Sequence, residues 1–242
     1  MRLVLLVSTL ATLNLAAASA AAQSHNPDIQ ACNDKSGKEG IVGCSNAISS
    51  GKLDTKNLAI AFSNRGLKYT DQEDFSRAIA DYGESIRINP QYENAFNDRG
   101  LVYIKLKDFV RALADFSRAL KLNPQYSNAY NARCWTRVAL LSKQLDLARK
   151  DCDAAVRLSP NEPDYRDSRG LVALKQKRFA DAWKDFDDAA KIGPNDASYM
   201  YGRGIAAMRL GRTVEGKADL EKAQNLDPRI AATYAGYGIG AK

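Results

Sequence analysis

Apolar residues recur along this chain at the three- and four-residue spacing of a buried helix face. Phe75, Ala78, Ile79, Tyr82 and Ile86 form one stripe, and Phe109, Ala112, Leu113, Phe116 and Leu120 form another. A second amphipathic run, such as Ala95 to Lys105, precedes each stripe, and each stripe ends at an Asn-Pro, Ser-Pro, Gly-Pro or Asp-Pro step. Proline disfavours helix in the residue before it, so these steps close helices. The pattern predicts a series of helix hairpins.

The hairpins repeat. One phrase returns as Asn64-Arg65-Gly66-Leu67, Asp98-Arg99-Gly100-Leu101, Ser168-Arg169-Gly170-Leu171 and Gly202-Arg203-Gly204-Ile205, with Ala132-Arg133-Cys134-Trp135 in the gap. Pro90, Pro124, Pro160, Pro194 and Pro228 keep the same beat at spacings of 34, 36, 34 and 34 residues. Five units follow, at about 59–92, 93–126, 127–162, 163–196 and 197–230. A lone hairpin cannot bury both faces, so successive units are expected to stack.

The pattern closely resembles the tetratricopeptide repeat family. Its unit has a small residue where two helices touch, Ala and aromatic residues on the second helix, and a closing proline. Gly66, Tyr69, Ala78, Tyr82 and Pro90 stand at those places in the first unit, and Gly100, Tyr103, Ala112, Phe116, Ala119 and Pro124 in the second. The resemblance implies an all-α fold, a right-handed α-solenoid of stacked antiparallel helix hairpins. Three departures stand out: Cys134 replaces the third glycine, Arg166 the fourth unit's usual Trp or Tyr, and Gly216 the fifth unit's alanine. Mid-helix Gly costs about 1 kcal/mol relative to Ala, so the last unit is expected to be the loosest.

The ends read differently. Met1 and Arg2 lead an apolar run from Leu3 to Ala17, followed by the small-x-small sequence Ala18-Ser19-Ala20, so residues 1–22 read as a cleaved bacterial secretory signal. A membrane anchor is the rival, but Ser8, Thr9, Thr12 and Asn14 interrupt a run shorter than the roughly 20 apolar residues a spanning helix needs. The mature chain is expected to be periplasmic or secreted, with no membrane insertion after cleavage. Residues 23–58 read as linker and helical cap: Asn26 caps a helix starting at Pro27, Ser36 to Gly40 turn, and a second helix runs from Ile41 to near Gly51. The Gly-rich stretch 231–242 reads as a short cap or a frayed tail.

Charge changes the picture little. The net charge of +7 falls to +6 without Arg2, and the basic residues alternate with Asp and Glu as on solvated helix faces. No nucleic-acid partner is indicated, and electrostatic binding of an envelope polyanion is the weaker alternative.

Four cysteines in an exported chain allow three disulfide pairings. In a stacked solenoid two whole repeats separate Cys32 and Cys44 from Cys134 and Cys152, while a bridge tolerates about 7 Å between Cα atoms. That leaves Cys32 with Cys44 and Cys134 with Cys152. For the second pair, the resemblance also places the glycine column, held by Cys134, across from the aromatic column, held by Cys152. Two extra residues around Leu141 to Leu145 account for its wider spacing. No CxxC or CxxH spacing exists and the sole histidine is His25, so neither a metal site nor a cofactor is expected.

Arg65, Arg99, Arg133, Arg169 and Arg203 recur with Asp81, Asp115, Asp151, Asp185 and Asp219 at a constant offset once the insertion is allowed. A charge that returns with an opposite partner in every unit reads as a structural ion pair rather than an anion ladder. The first helices carry Asn94, Asn97 and Leu101, then Asn128, Asn131 and Trp135, each set on one stripe. In the family this stripe lines the concave groove where partner peptides lie, and Asn amides there pair with peptide backbone. Leu67, Leu171, Leu174, Ile205 and Met208 extend its apolar half. The family's carboxylate clamp is not implied, because the matching places hold Ser63, Leu67, Asp98, Asn128 and Ala132. No phosphate loop, nucleophile elbow or catalytic histidine supports an enzyme. The expected function is therefore an exported, non-enzymatic adaptor that binds a protein or peptide segment. A self-associating structural module, a homo-oligomer, is the alternative.

Overall fold

The computed structural model describes residues 27–141 and 144–240; the leader read from residues 1–22 and the cap read at Asn26 lie outside them. The chain divides into two compact units, Met1–Val102 and Tyr103–Lys242. All regular structure among the described residues is helical.

Unit 1 holds α1 (Pro27–Asp34), α2 (Gly37–Ser49), α3 (Thr55–Asp71), α4 (Phe75–Ile88) and most of α5 (Glu93–Lys105). Aspartates start α3 and α4, because a side-chain oxygen there satisfies an otherwise orphaned backbone N–H. Asp54 accepts from the Asn57 N–H at 2.7 Å, and Asp74 from the Arg77 N–H at 3.1 Å. The α3–α4 hairpin closes on a fully buried Tyr82, whose ring would lie 3.0 Å from a Cβ at Gly66. An alanine at 66 would require the Tyr82 ring to give by a few tenths of an ångström.

Unit 2 holds α6 (Phe109–Leu122), α7 (Ser127–Trp135), a π-helical turn (Thr136–Leu141), α8 (Leu145–Leu158), α9 (Pro163–Lys175), α10 (Phe179–Ile192), α11 (Ala197–Arg209), α12 (Thr213–Leu226) and α13 (Ile230–Gly236). Its core joins Cys134, Val138, Cys152, Leu171, Leu174, Phe186, Ile205 and Tyr234 in one buried cluster. Hairpins in both units turn through the left-handed region at matching places: Glu73 (φ 59°), Lys107 (φ 58°), Lys177 (φ 59°) and Gly211 (φ 79°). Backbone N–H groups just beyond reach back to the helix just ended, as Arg178 does to the Ala173 carbonyl at 2.8 Å.

Disulfides join Cys32 to Cys44, with Cα atoms 4.3 Å apart, and Cys134 to Cys152, at 5.5 Å. Each staples the two helices of one hairpin.

One expectation changes and three gain detail. The second cap helix begins at Gly37, not Ile41, so Gly37 to Gly40 form its first turn and Ser36 precedes it. Gly40 and Gly43 explain the advance: a Cβ on either would meet Lys68 at 2.4 Å or Ala31 at 2.6 Å, so helix glycines are what let α2 pack there. The two extra residues of the third unit were read around Leu141 to Leu145, where residues 142 and 143 lie outside the described residues; the stretch just before them, Thr136–Leu141, is a π-helical turn. At Gly216 a Cβ would lie 2.9 Å from the Gly204 carbonyl oxygen, so glycine permits a close backbone contact between α11 and α12. At the C-terminal end the short cap, one of the two readings, is what is seen: Ile230 to Gly236 form a helix with Tyr234 fully buried.

Candidate functional site

The arginine column is consumed by structure. Arg65 donates from Nε and Nη2 to Asp81 at 2.7 and 2.8 Å, and Arg133 to Asp151 at 2.9 and 2.6 Å. Arg169 meets Asp185 at 2.9 and 2.6 Å, and Arg203 meets Asp219 at 2.7 and 2.8 Å. These forked pairs match a planar guanidinium to a carboxylate and sit among buried aspartates. The third nitrogen, Nη1, reaches back to the preceding helix pair: to Ser45 from Arg65, Ser117 from Arg133, Asp153 from Arg169 and Asp187 from Arg203, at 3.0, 3.1, 3.2 and 2.9 Å. The hydrogen bond to Asp81 holds the Arg65 pKa above its ordinary value, and bonds to Asp219 and Asp187 do the same for Arg203. In the third repeat Arg137 joins Arg133 on Asp151, and burial lowers its pKa. Arg99 lies in unit 1, its guanidinium 5.9 Å from the Phe96 ring centroid, while Asp115 is buried in unit 2.

The first-helix face remains. In unit 1 it is open: Leu67 is 46% exposed and Leu101 43%. Asn97 is buried beside them, its Nδ2 donating to Asp98 at 3.1 Å. Its Oδ1 is sheltered from water and has no partner among the described residues. Burial also raises the Asp98 pKa, partly offset by the bond from Asn97. Asn94 is partly buried and donates to the Tyr92 hydroxyl at 3.5 Å.

In unit 2 the same face is covered. Leu171 and Ile205, at the column held by Leu67 and Leu101 in unit 1, are 1% and 2% exposed. What covers them is the chain's own C-terminal segment. Tyr234 packs 4.9 Å from Tyr201 between ring centroids and donates to the Ser198 carbonyl at 2.8 Å. Tyr237 meets Trp135 edge-on at 6.1 Å, and Arg209 donates to the Gly240 carbonyl at 3.4 Å. Trp135, assigned from sequence to an open groove, is thus partly buried under this segment. Asn128 is exposed and accepts from the Tyr165 hydroxyl, whereas Asn131 hides an Oδ1 with no partner among the described residues. Asp167 lies beside Tyr234 and Tyr237 and accepts from the Ser198 hydroxyl at 3.0 Å. Burial, reinforced by Asp196 and Asp164, pushes its pKa up to about 7 despite that bond.

Sequence reasoning missed Tyr201, Tyr234, Tyr237, Ser198 and Asp167. The signal was present in part: Tyr234 and Tyr237 stand three residues apart, on one helical face, in a stretch otherwise made of small residues. No group of three or more His, Cys, Asp or Glu side chains among the described residues is placed to hold a metal.

Three family models match parts of the chain: two described as tetratricopeptide repeat, over residues 93–126 and 168–232, and one described as TPR repeat, over 66–107. No curated protein matches it. Among solved structures it is similar to YrrB, a TPR protein with an unusual peptide-binding site, at 20% identity and a TM-score of 0.62, covering 81% of this chain and 98% of that one. It is also similar to MamA from Desulfovibrio magneticus, at 19% identity and TM-score 0.62, over 73% of this chain and 97% of that one. A tetratricopeptide repeat protein from Parabacteroides merdae shares 16% identity and TM-score 0.62 over 83% of this chain and 85% of that one. These likenesses concern the fold.

Proposed function

The chain is a tetratricopeptide repeat protein, and from that premise we propose that it is a non-enzymatic scaffold holding a segment of another protein on its first-helix face. Asn97 carries the reading. A buried amide oxygen without a hydrogen bond costs about 1–3 kcal/mol, and a turn of the Asn97 side chain towards a peptide N–H laid along the face removes that cost. Leu101, one helical turn away and largely exposed, offers apolar contact to the same segment. The peptide-binding site ascribed to YrrB, a protein of similar fold, supports the same use of this one.

We further propose that the protein works outside the cytoplasm. Two disulfides, each within a helix pair, support an oxidising compartment, as does the leader-like composition of residues 1–22.

The test is photo-crosslinking in the native cell envelope from position 67, whose leucine is exposed in the same column as Leu101. The expected result is a discrete partner whose capture falls at least tenfold in Asn97→Ala and Leu101→Glu proteins that melt within a few degrees of the parent. Capture indifferent to both changes overturns the reading.

A further inference from the structure

Unit 2 already holds a peptide on its first-helix face, and that peptide defines what the face accepts. Tyr234 fills a fully buried site against Tyr201 and bonds to the Ser198 carbonyl, while Tyr237, one turn on, packs against Trp135. Ile230 and Ile239 bury the two ends of the segment, and small residues, Ala231, Ala232, Ala235, Gly236 and Gly238, lie between these anchors. The seat is thus shaped for two tyrosines three residues apart with an isoleucine at each end.

Three observations argue that this occupant is exchangeable. First, α13 has only seven residues, too few for stable helix in water, so its conformation is borrowed from the surface beneath it. Second, it joins α12 through Asp227, Pro228 and Arg229 alone, a short connection of the kind that invites swapping between copies. Third, the fit is incomplete. A cleft of about 350 Å³ lies beside Tyr237 to Gly240, lined also by Leu145, Leu174, Phe179 and Ile205.

We propose that the first-helix face of unit 2 is a receptor for the segment 230–240 and that two copies of the chain exchange these segments, forming a reciprocal dimer. The occupant is a second copy because every copy carries the one sequence seen to fit. Each exchanged contact is identical to the one it replaces, so the swap loses no packing. The proposal is independent of the partner face in unit 1.

Two differently tagged forms of the full chain, mixed at high concentration, test it. Mixed dimers are expected, with a fraction that rises with concentration and falls when a free peptide of residues 228–240 is added in excess. The labelled peptide should also bind the Tyr237→Ala protein at least tenfold more tightly than the parent, because the parent's seat is already filled. A flexible six-residue insertion after Pro228, which touches no core residue, should shift the population towards monomer by letting the segment reach its own seat easily. The proposal is overturned by protein that stays monomeric at every concentration, by dimers that survive excess peptide, by a dimer fraction unchanged on insertion, or by a helical Tyr237→Ala protein that does not bind the peptide.

Discussion

Leu67 and Leu101 in unit 1 and Leu171 and Ile205 in unit 2 occupy the same column of the same repeat, yet the first two face solvent and the last two are buried. The repeats do not differ in kind. Both faces present an aliphatic residue one helical turn beyond a polar column, Ser63 and Asn97 in one unit, Asp167 and Tyr201 in the other. The difference comes from outside the repeat, from seven residues of helix and a short extension laid across unit 2. A repeat therefore sets what a face can hold, and the sequence beyond the repeats decides whether it is free.

The comparison breaks most sharply at Tyr234. Tyr234→Ala should cost about 3–5 kcal/mol, the penalty for emptying a large buried aromatic site, whereas Leu101→Ala on the open face should stay within about 0.5 kcal/mol. Urea unfolding of the two variants measures both, and equal losses would mean that the C-terminal helix contributes no more than a surface residue.

The two disulfides sharpen the comparison next, one lying in each unit. Breaking either should cost about 3 kcal/mol in the loop-entropy account, given sequence separations of 12 and 18 residues. Cys44→Ser with Cys32→Ser should loosen the cap of unit 1, and Cys134→Ser with Cys152→Ser the third repeat. Hydrogen exchange read by mass spectrometry should find each loss confined to its own unit.

A smaller difference is expected between arginines. Arg203→Ala strands Asp219 and takes one of two cationic partners from Asp187, which keeps Lys191, and should cost about 2 kcal/mol, allowing for partial exposure of the pair; Arg65→Ala strands one carboxylate, Asp81, and should cost less. Thermal melting at low salt resolves the order, and the reverse order would show that the second carboxylate contributes nothing.

A further effect is in pH. Asp167 keeps its proton to about pH 7 in the folded protein but releases it near its ordinary value of 3.8 when unfolded. Between those values the folded state binds more protons, so this group makes stability fall as pH rises, with the full penalty present above about 7. Asp167→Asn should match the parent near pH 4 and melt a few degrees higher at pH 8. A parallel pair of melting curves across that range would remove Asp167 from the account.

Much of the fold was legible in the sequence because repetition supplies independent copies of each signal. Arg-Gly phrases, proline spacing and apolar stripes each returned several times, and the structure joins the cysteines as they were paired. The Arg65–Asp81, Arg133–Asp151, Arg169–Asp185 and Arg203–Asp219 pairs could be read as columns for the same reason. Features that occur once were harder. Tyr234 and Tyr237 have no counterpart elsewhere to compare with, and α13 owes its order to the surface it lies on rather than to its own sequence. Trp135 shared a stripe with Asn128 and Asn131, but nothing local could reveal that Tyr237 covers it. The early start of α2 was missed because glycine normally argues against helix, and only the close approach of its neighbours reveals why glycine is used there.

The backward reach of the repeated arginines also grades the seams of unit 2. Arg133 ties its hairpin to the preceding one through a hydroxyl, on Ser117, whereas Arg169 and Arg203 do so through carboxylates, on Asp153 and Asp187. In a chain whose stability is a sum over neighbouring junctions, the weakest junction sets where separation starts. Pulled from its ends, unit 2 should shed α6 first and then peel towards α12, a directional zipper whose last teeth are ionic and which added salt makes more uniform.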